Sequence, residues 1–100
     1  MATFVTTIQF TGQGMKAIGQ TTDRVDALQA AAKRLGVQIQ QLYWTLGAFD
    51  GLLILDAADD ETVAALLLKV GSLGNIQTTT ARAFTAAEMK GVLAKLHGDG

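Results

Sequence analysis

Hydrophobic and polar residues alternate along the first segment of the chain. Phe4, Ile8 and Phe10 fall on one side of an extended segment 3–10. The opposite side carries Thr3, Val5, Thr7 and Gln9. This period of two predicts a β-strand, and the glycine-containing stretch 11–14 ends it.

A spacing of three to four residues replaces this alternation in the next segment. Apolar residues recur at that spacing over 25–35, and Gly36 follows where a left-handed helix cap belongs. A polar step at 20–23 separates this segment from an earlier apolar pair, Met15 and Ile18. We therefore expect a helical region that can be divided into two pieces.

Two further strands follow and are joined by a turn. Segment 37–46 changes its apolar parity near Gln40 and Gln41, which predicts a strand with a β-bulge. Segment 51–57 is apolar on both faces, which predicts a central strand. The connection between them is expected to be tight and to place Asp50 at the mouth of an apolar hairpin.

Two more helices flank a fourth strand. Negative charge at 59–61 suits the first turn of a helix, which Gly71 ends. Segment 75–84 is rich in threonine and predicts a strand. Thr85 and Glu88 match a capping box, so a final helix is expected after them. Its apolar residues are expected to face inward, and they are Met89, Val92, Leu93 and Leu96.

The order of elements is β-α-β-β-α-β with an additional C-terminal helix. This order predicts an α+β, ferredoxin-like domain with a four-stranded antiparallel sheet and both main helices on one face. We expect a single domain over residues 1–96 and a flexible tail over 97–100.

A sheet with helices on one side leaves its other face uncovered. By strand parity that face lacks the lysine and glutamate typical of a surface in water. Its predicted residues are Thr3, Val5, Thr7, Gln9, Gln41, Tyr43, Thr45, Leu53 and Leu55, with either threonines and Arg82 or Gln77 and Ala81 from the last strand. We expect a second subunit to cover it, giving a homodimer or a larger ring. The alternative is a solvated sheet rich in threonine.

Composition narrows the possible classes of function. A content of 49% hydrophobic and 17% charged residues indicates apolar surface left over for a partner. The net charge of −1 predicts no nucleic-acid binding. The chain has no cysteine and one histidine, His97, so neither a metal site nor a cofactor is expected. We expect no membrane segment and a cytoplasmic protein, or one whose export signal has been removed.

Asp50 is the main candidate for chemistry. With Trp44 and Phe49 nearby it could act as a general base or as a polar anchor for a ligand. The alternative is that its carboxylate accepts backbone N–H bonds in a turn. Trp44 and Tyr43 alternate along the strand, so Tyr43 is expected to reach the uncovered face, where its hydroxyl needs a partner or a ligand.

Two further places are candidates for ligand binding. Ser72 and Asn75 lie in a segment with free N–H groups, although the same segment also suits a helix cap and a turn. Arg82 could bind a carboxylate or pair with an acid across an interface. A solvated charge on an edge strand explains Arg82 equally well.

Several of these motifs resemble those of the GYD-domain proteins. The segments concerned are 43–47, 49–50, 71–75 and 82–85, and the resemblance runs from Thr3 to Leu96. It implies a ferredoxin-like chain of the dimeric α/β-barrel kind and no established activity. Phe49 stands where the family has its namesake tyrosine, whereas Asp50 matches the family's aspartate.

The function predicted from these observations is a homo-oligomeric small-molecule-binding or structural domain. Its pocket would lie between the sheet and the helices near Trp44, Phe49 and Asp50, or at a subunit junction. The alternative is a cofactor-independent isomerase or oxygenase acting on a small aromatic molecule. In that case Asp50 would abstract a proton while Tyr43 or Arg82 stabilised the developing anion. A scaffold module without a pocket is a third possibility.

Overall fold

Strands and helices follow one another in the predicted order within residues 1–98, which are the residues that the computed structural model describes. The strands are β1 (Ala2–Phe10), β2 (Gln38–Trp44), β3 (Gly51–Ala57) and β4 (Ile76–Ala83). The α-helices are α1 (Gly12–Lys16), α2 (Thr21–Leu35), α3 (Asp60–Gly71) and α4 (Ala86–His97), with a 3-10 turn at Ile18–Gln20. The first helical region is therefore divided, as predicted.

The four strands form one antiparallel sheet in the order β2-β3-β1-β4. This order, with α2 and α3 as the connecting helices, is that of a ferredoxin-like α+β domain, so the predicted fold class is confirmed. The central place of β3 and the bulge between Ile39 and Gln41 are confirmed too. Gly36 ends α2 in the left-handed conformation with φ of 75°, as predicted.

The hydrophobic core lies between the sheet and these two helices. Leu28 from α2 and Leu66 from α3 pack with Phe4, Leu53 and Leu55 of the sheet, and all five are buried. Additional core residues from the helices are Ala31, Ala32 and Val63. A cavity lies beside this core, near the C-terminal end of β2 and the beginning of β4.

The structure corrects two parts of the predicted uncovered face. Thr45 lies in the loop after β2 and not in the sheet. Leu55 pairs with Phe4 and Leu53 pairs with Thr6, so both leucines face the helices and not the open side. Their exposed fractions, 0% for Leu55 and 1% for Leu53, agree with this placement. The prediction failed because β3 is apolar on both faces, and a shift of one residue in parity exchanges them.

We use the name open sheet face for the side chains that point away from the helices. Leu52 and Ile54 lie at its centre, where Ile54 pairs with Val5 across the strands. From β4 it takes Gln77 and Ala81, whereas Arg82 pairs with Phe4 and lies on the helix side. Its full membership is Thr3, Val5, Thr7, Gln9, Gln38, Gln41, Tyr43, Leu52, Ile54, Asp56, Gln77, Thr79, Ala81 and Ala83.

The final helix α4 has the predicted capping box and lacks the predicted burial. The backbone N–H of Thr85 donates to the Glu88 carboxylate at 3.0 Å, which holds the pKa of Glu88 below its ordinary value of 4.5. Yet α4 has no buried residue, and Leu96 is 73% exposed. The expectation that its apolar stripe faces inward is therefore wrong. An amphipathic pattern indicates that one side of a helix packs against another surface, and it does not identify that surface.

The described part of the chain is expanded for its length. Its radius of gyration is 15.5 Å, against about 13 Å for a typical domain of 100 residues. His97 belongs to α4, so the helix runs into the predicted tail, whose last two residues lie outside the described range. None of the helices in residues 1–98 has the length and apolar character needed to cross a membrane.

Candidate functional site

A cavity of about 360 Å³ opens between the helix side of the sheet and helices α2 and α3. Its walls are mainly apolar. They include Ile8 and Phe10 from β1, Val25, Leu28 and Ala31 from α2, Leu42 and Trp44 from β2, and Val70, Leu73 and Ile76 from α3, β4 and their connection. Polar or charged groups at the cavity come from Thr21, Arg24, Arg34, Asp50, Lys69 and Asn75, with Tyr43 at the same end of β2. Such a site suits a ligand with an apolar body and a few polar groups.

Trp44 forms one side of this cavity. It pairs with Gly51 on the helix side of the sheet, and its indole Nε1–H donates to Thr21 Oγ1 at 3.0 Å. The bond fixes the indole against the beginning of α2 and leaves the residue 47% exposed. Tyr43 pairs with Leu52 on the open sheet face, where its hydroxyl donates to the Gln41 side chain.

Asp50 ends the loop that joins β2 to β3. Its Oδ2 accepts a hydrogen bond from the backbone N–H of Phe10 at 2.9 Å, and its own N–H donates to the Ile8 carbonyl at 2.8 Å. Thr45 closes the loop by donating its N–H to the Asp50 carbonyl at 2.9 Å. The connection has six residues, 45–50, so it is longer than the tight turn predicted. The carboxylate thus ties this loop to the end of β1.

Replacing Asp50 with alanine is expected to lower the free energy of unfolding by about 1–3 kcal/mol, because the N–H of Phe10 loses its acceptor. Asp50→Asn retains a side-chain oxygen that can accept the same bond, so it is expected to cost less than Asp50→Ala. Urea unfolding of the two variants measures the difference. If asparagine and alanine were equally destabilising, the hydrogen bond to Phe10 would not be the contribution of Asp50.

Asn75 connects the cavity to helix α1. Its backbone carbonyl accepts from the N–H of Thr11 at 3.0 Å, and its Oδ1 accepts from Gln13 Nε2 at 2.9 Å. Gly14 is buried at this contact, and a Cβ placed there would overlap the Asn75 carbonyl group. Ser72 is exposed, donates its hydroxyl to the Lys69 carbonyl and does not line the cavity.

Arg82 lies towards the opposite end of the sheet from Asp50. It pairs with Glu88 at 3.2 Å, and its guanidinium carbon is 4.6 Å from the centroid of the Phe84 ring. It stands opposite Phe4 in the register, whereas Asp50 contacts Phe10. Six residues of strand separate these points, which is roughly 20 Å. The structure therefore does not bring Arg82 and Asp50 into one site.

Of the residues predicted from the sequence, the structure brings together Trp44, Asp50 and Asn75 around the cavity, and Tyr43 adjoins it with its side chain on the open sheet face. Phe49 is not part of its lining, and its backbone carbonyl accepts from the Thr45 hydroxyl at 2.6 Å. No group of three His, Cys, Asp or Glu side chains that could hold a metal ion occurs in the described range.

Three cationic residues of the cavity were not singled out from the sequence: Arg24, Arg34 and Lys69. A signal for the first was present, because Arg24 precedes the buried Leu28 by four residues and therefore shares its side of α2. Arg34 similarly follows the buried Ala31 by three residues. A cation at the spacing of a buried stripe is uncommon unless it has a partner.

Comparison with known proteins places the chain in a family. The family model for the GYD domain matches residues 4–93. A relative from Thermus thermophilus, named glutamine synthetase and cystathionine beta-lyase binding protein, is 28% identical over 90 residues, which are 89% of this chain and 95% of that protein.

Solved structures share the fold. The crystal structure of TTHA0845 from Thermus thermophilus superposes with a TM-score of 0.56 at 26% identity, covering 86% of this chain and 96% of that one. The structure of MtbAldR gives a TM-score of 0.66 at 14% identity over 84% of this chain. This chain spans only 53% of MtbAldR, so that likeness concerns the fold of one part of a longer protein.

The family model spans nearly the whole chain, and it agrees with the ferredoxin-like sheet and with the segments of sequence that first indicated the resemblance. The chain therefore belongs to the GYD domain family.

Proposed function

We propose that this protein is a homo-oligomeric domain that binds a small molecule in the cavity between the sheet and helices α2 and α3. The observation that carries the proposal is the cavity itself. Its volume of about 360 Å³ and its apolar walls with few polar groups are typical of ligand sites. Trp44 and Asp50 are held at its edge by hydrogen bonds, so this part of the site is ordered before any ligand enters.

The open sheet face supports self-association. Among its members only Asp56 carries a charge, and the two oxygens of that carboxylate accept from Thr3 at 2.8 Å and Gln40 at 2.9 Å. A half-apolar face with one hydrogen-bonded carboxylate can meet its own copy with little like-charge repulsion, as a two-fold interface requires. A second copy is therefore the occupant that we propose.

The size of the available surface agrees with a dimer when α4 contributes. Four strands of about seven residues present roughly 440 Å² of projected area. A twelve-residue helix adds roughly 180 Å². Together they give roughly 620 Å² per partner, at the lower end of stable interfaces. A helix of this length is also marginal on its own in water, so α4 needs a surface to pack against.

A cofactor-independent enzyme with Asp50 as base remains the alternative, since its carboxylate lines the cavity. The geometry favours a structural role for this residue, because Oδ2 already accepts from Phe10. The groups suggested as anion stabilisers lie elsewhere in one chain: the hydroxyl of Tyr43 bonds to Gln41 on the open sheet face, and Arg82 pairs with Glu88.

Protein binding is a second candidate, favoured by the exposed apolar stripe of α4. The Thermus relative is named for binding two enzymes, and Leu96 and Met89 are 73% and 46% exposed here. In this case α4 would pack on another protein instead of on a second copy.

Native mass spectrometry of gently purified protein tests the proposal. We expect a multiple of the 10.5 kDa chain that carries a reproducible additional mass. Ala27→Phe, at the cavity, is expected to remove the additional mass and leave the oligomer. Ala65→Phe is the matched control, because Ala65 is exposed on α3 outside the cavity lining. A bare monomer would contradict the proposal, and an oligomer without added mass would favour the structural or protein-binding function.

A further inference from the structure

We infer that the molecule bound in this cavity is an organic anion, a compact apolar or aromatic body bearing one carboxylate or a similar oxyanion. This inference rests on the proposed function, since it names the class of ligand for the same site. It depends on three features of the cavity: its balance of charge, the state of the Arg24 guanidinium, and the shape of its apolar walls.

The cavity has an excess of positive charge that the whole chain does not share. Arg24, Arg34 and Lys69 contribute cations to its lining, and Asp50 is the acid among its lining residues. The chain as a whole carries a net charge of −1. The oxygen Oδ2 of Asp50 is already engaged by the N–H of Phe10, which leaves less of this carboxylate to balance the cations. The local field therefore favours an anion over a cation.

Arg24 is fixed in position before a ligand arrives. Its Nη2 donates to the carbonyls of Gly14 at 3.1 Å and Ala17 at 3.0 Å, which anchor the half-buried side chain to the segment before α2. An arginine held in this way loses little conformational entropy when it forms one more bond.

The second terminal nitrogen of the Arg24 guanidinium lacks a hydrogen-bond acceptor within residues 1–98. Nη1 is buried and has no hydrogen-bond partner among the residues described. A buried N–H without an acceptor is costly, and an oxyanion is the acceptor that relieves it best. Arg24 is among the residues that line the cavity, so an oxyanion bound there is the acceptor that we assign to Nη1.

The rest of the cavity defines the body of the ligand. Trp44 and the aliphatic side chains that surround it offer flat and branched apolar surfaces. A volume of about 360 Å³ is near the lower end of ligand pockets, which are about 300–1,000 Å³. A ring system with one charged substituent fits both the size and the surface, whereas a nucleotide or another highly polar molecule does not.

A pair of matched probes tests the inference: 2-naphthoate and its neutral isostere 2-naphthamide. Binding is measured by titration calorimetry at pH 7.5, and the indole N–H signal of Trp44, the only tryptophan, reports occupancy of the cavity in a ¹⁵N NMR spectrum. We expect naphthoate to bind at least about tenfold more tightly than naphthamide, because a charge-assisted bond is stronger than a neutral one.

Variants on α2 locate the source of the preference. Arg34→Gln is expected to weaken naphthoate binding about tenfold and leave naphthamide binding unchanged. Lys33→Gln removes the same charge from the neighbouring exposed residue, which does not line the cavity, and is expected to leave both affinities unchanged. Arg24 is left unchanged in both variants, because its guanidinium also donates to the carbonyls of Gly14 and Ala17.

The outcomes separate this inference from the proposed function. Equal affinity for the two probes, with a shifted Trp44 signal, would overturn the anion preference and leave a binding cavity. Failure of both probes to shift the Trp44 signal would overturn the inference as well. Native mass spectrometry would then decide separately, from the additional mass, whether the cavity holds another kind of molecule. An equal loss for Lys33→Gln and Arg34→Gln would show a general charge effect and reject the assigned site.

Discussion

Replacing Gly14 with alanine is expected to lower the free energy of unfolding by about 1–3 kcal/mol, because the new methyl group has no room. A Cβ at this position would overlap the carbonyl oxygen of Asn75 and lie 2.9 Å from its carbonyl carbon. Both are backbone atoms, so relief requires α1 and the segment before β4 to move apart. The bonds from Thr11 and Gln13 to Asn75 would be weakened by the same movement.

Gly12→Ala is the matched control, since Gly12 is at the beginning of the same helix and nothing lies within 4 Å of its would-be Cβ. Alanine there is expected to be neutral or to stabilise by up to about 1 kcal/mol, by restricting the unfolded chain. Urea unfolding followed by circular dichroism measures both variants. A neutral Gly14→Ala would mean that α1 does not pack against Asn75 as described.

The Gly14 substitution is also expected to loosen the wall of the cavity. The Gly14 carbonyl accepts from Arg24, and Asn75 lines the same space, so separating α1 from Asn75 loosens two parts of the wall. Ligand binding should therefore fall in Gly14→Ala at temperatures where the protein is still folded.

Ile54→Lys is expected to dissociate the proposed oligomer, with an increase of more than about 100-fold in its dissociation constant. Ile54 lies on the central strand of the open sheet face, opposite Val5. A lysine there would bury an ammonium group without a partner in the interface, at a cost of several kcal/mol. Because the side chain points away from the core, the separated monomer is expected to remain folded.

Sedimentation velocity over a range of protein concentrations measures this change. Leu68→Lys is the control, because it introduces the same charge on the outer side of α3, where Leu68 is 74% exposed. It is expected to leave the oligomer intact. If wild-type protein sediments as a 10.5 kDa species at micromolar concentration, the proposed self-association is wrong.

The order of the elements and several of their ends were predictable because their signals are local. The bulge near Gln40 shows in a change of parity, the end of α2 shows in Gly36, and the start of α4 shows in Thr85 and Glu88. Each depends on a few neighbouring residues, whose spacing fixes the backbone conformation.

The parts that failed depend on contacts between distant segments. Nothing in segment 51–57 distinguishes its two apolar faces, so Leu53 and Leu55 could not be assigned to the core without the register of β1. The burial of the apolar stripe of α4 could not be predicted for a similar reason, because the spacing of its residues does not identify the surface that they pack against.

The candidate site was predicted in part for the same reason. Trp44 and Asp50 flank one short loop, so their proximity was foreseeable. The presence of Asn75 at the same cavity, and the distance of Arg82 from it, follow from the strand order. Arg24 was missed because its importance depends on the carbonyls of Gly14 and Ala17, which only the fold places beside it.

The bonds around the cavity join segments that are far apart in sequence. Phe10 and Asp50 are 40 residues apart, Thr11 and Gly74 are 63 apart, and Thr21 and Trp44 are 23 apart. Contacts of such separation form only after large chain loops have closed, which makes them slow to assemble. The proposed binding site should consequently arise at the end of folding, and neither half of the chain alone should possess it. A ligand that binds there would act as a reporter of the completed fold and would slow its unfolding.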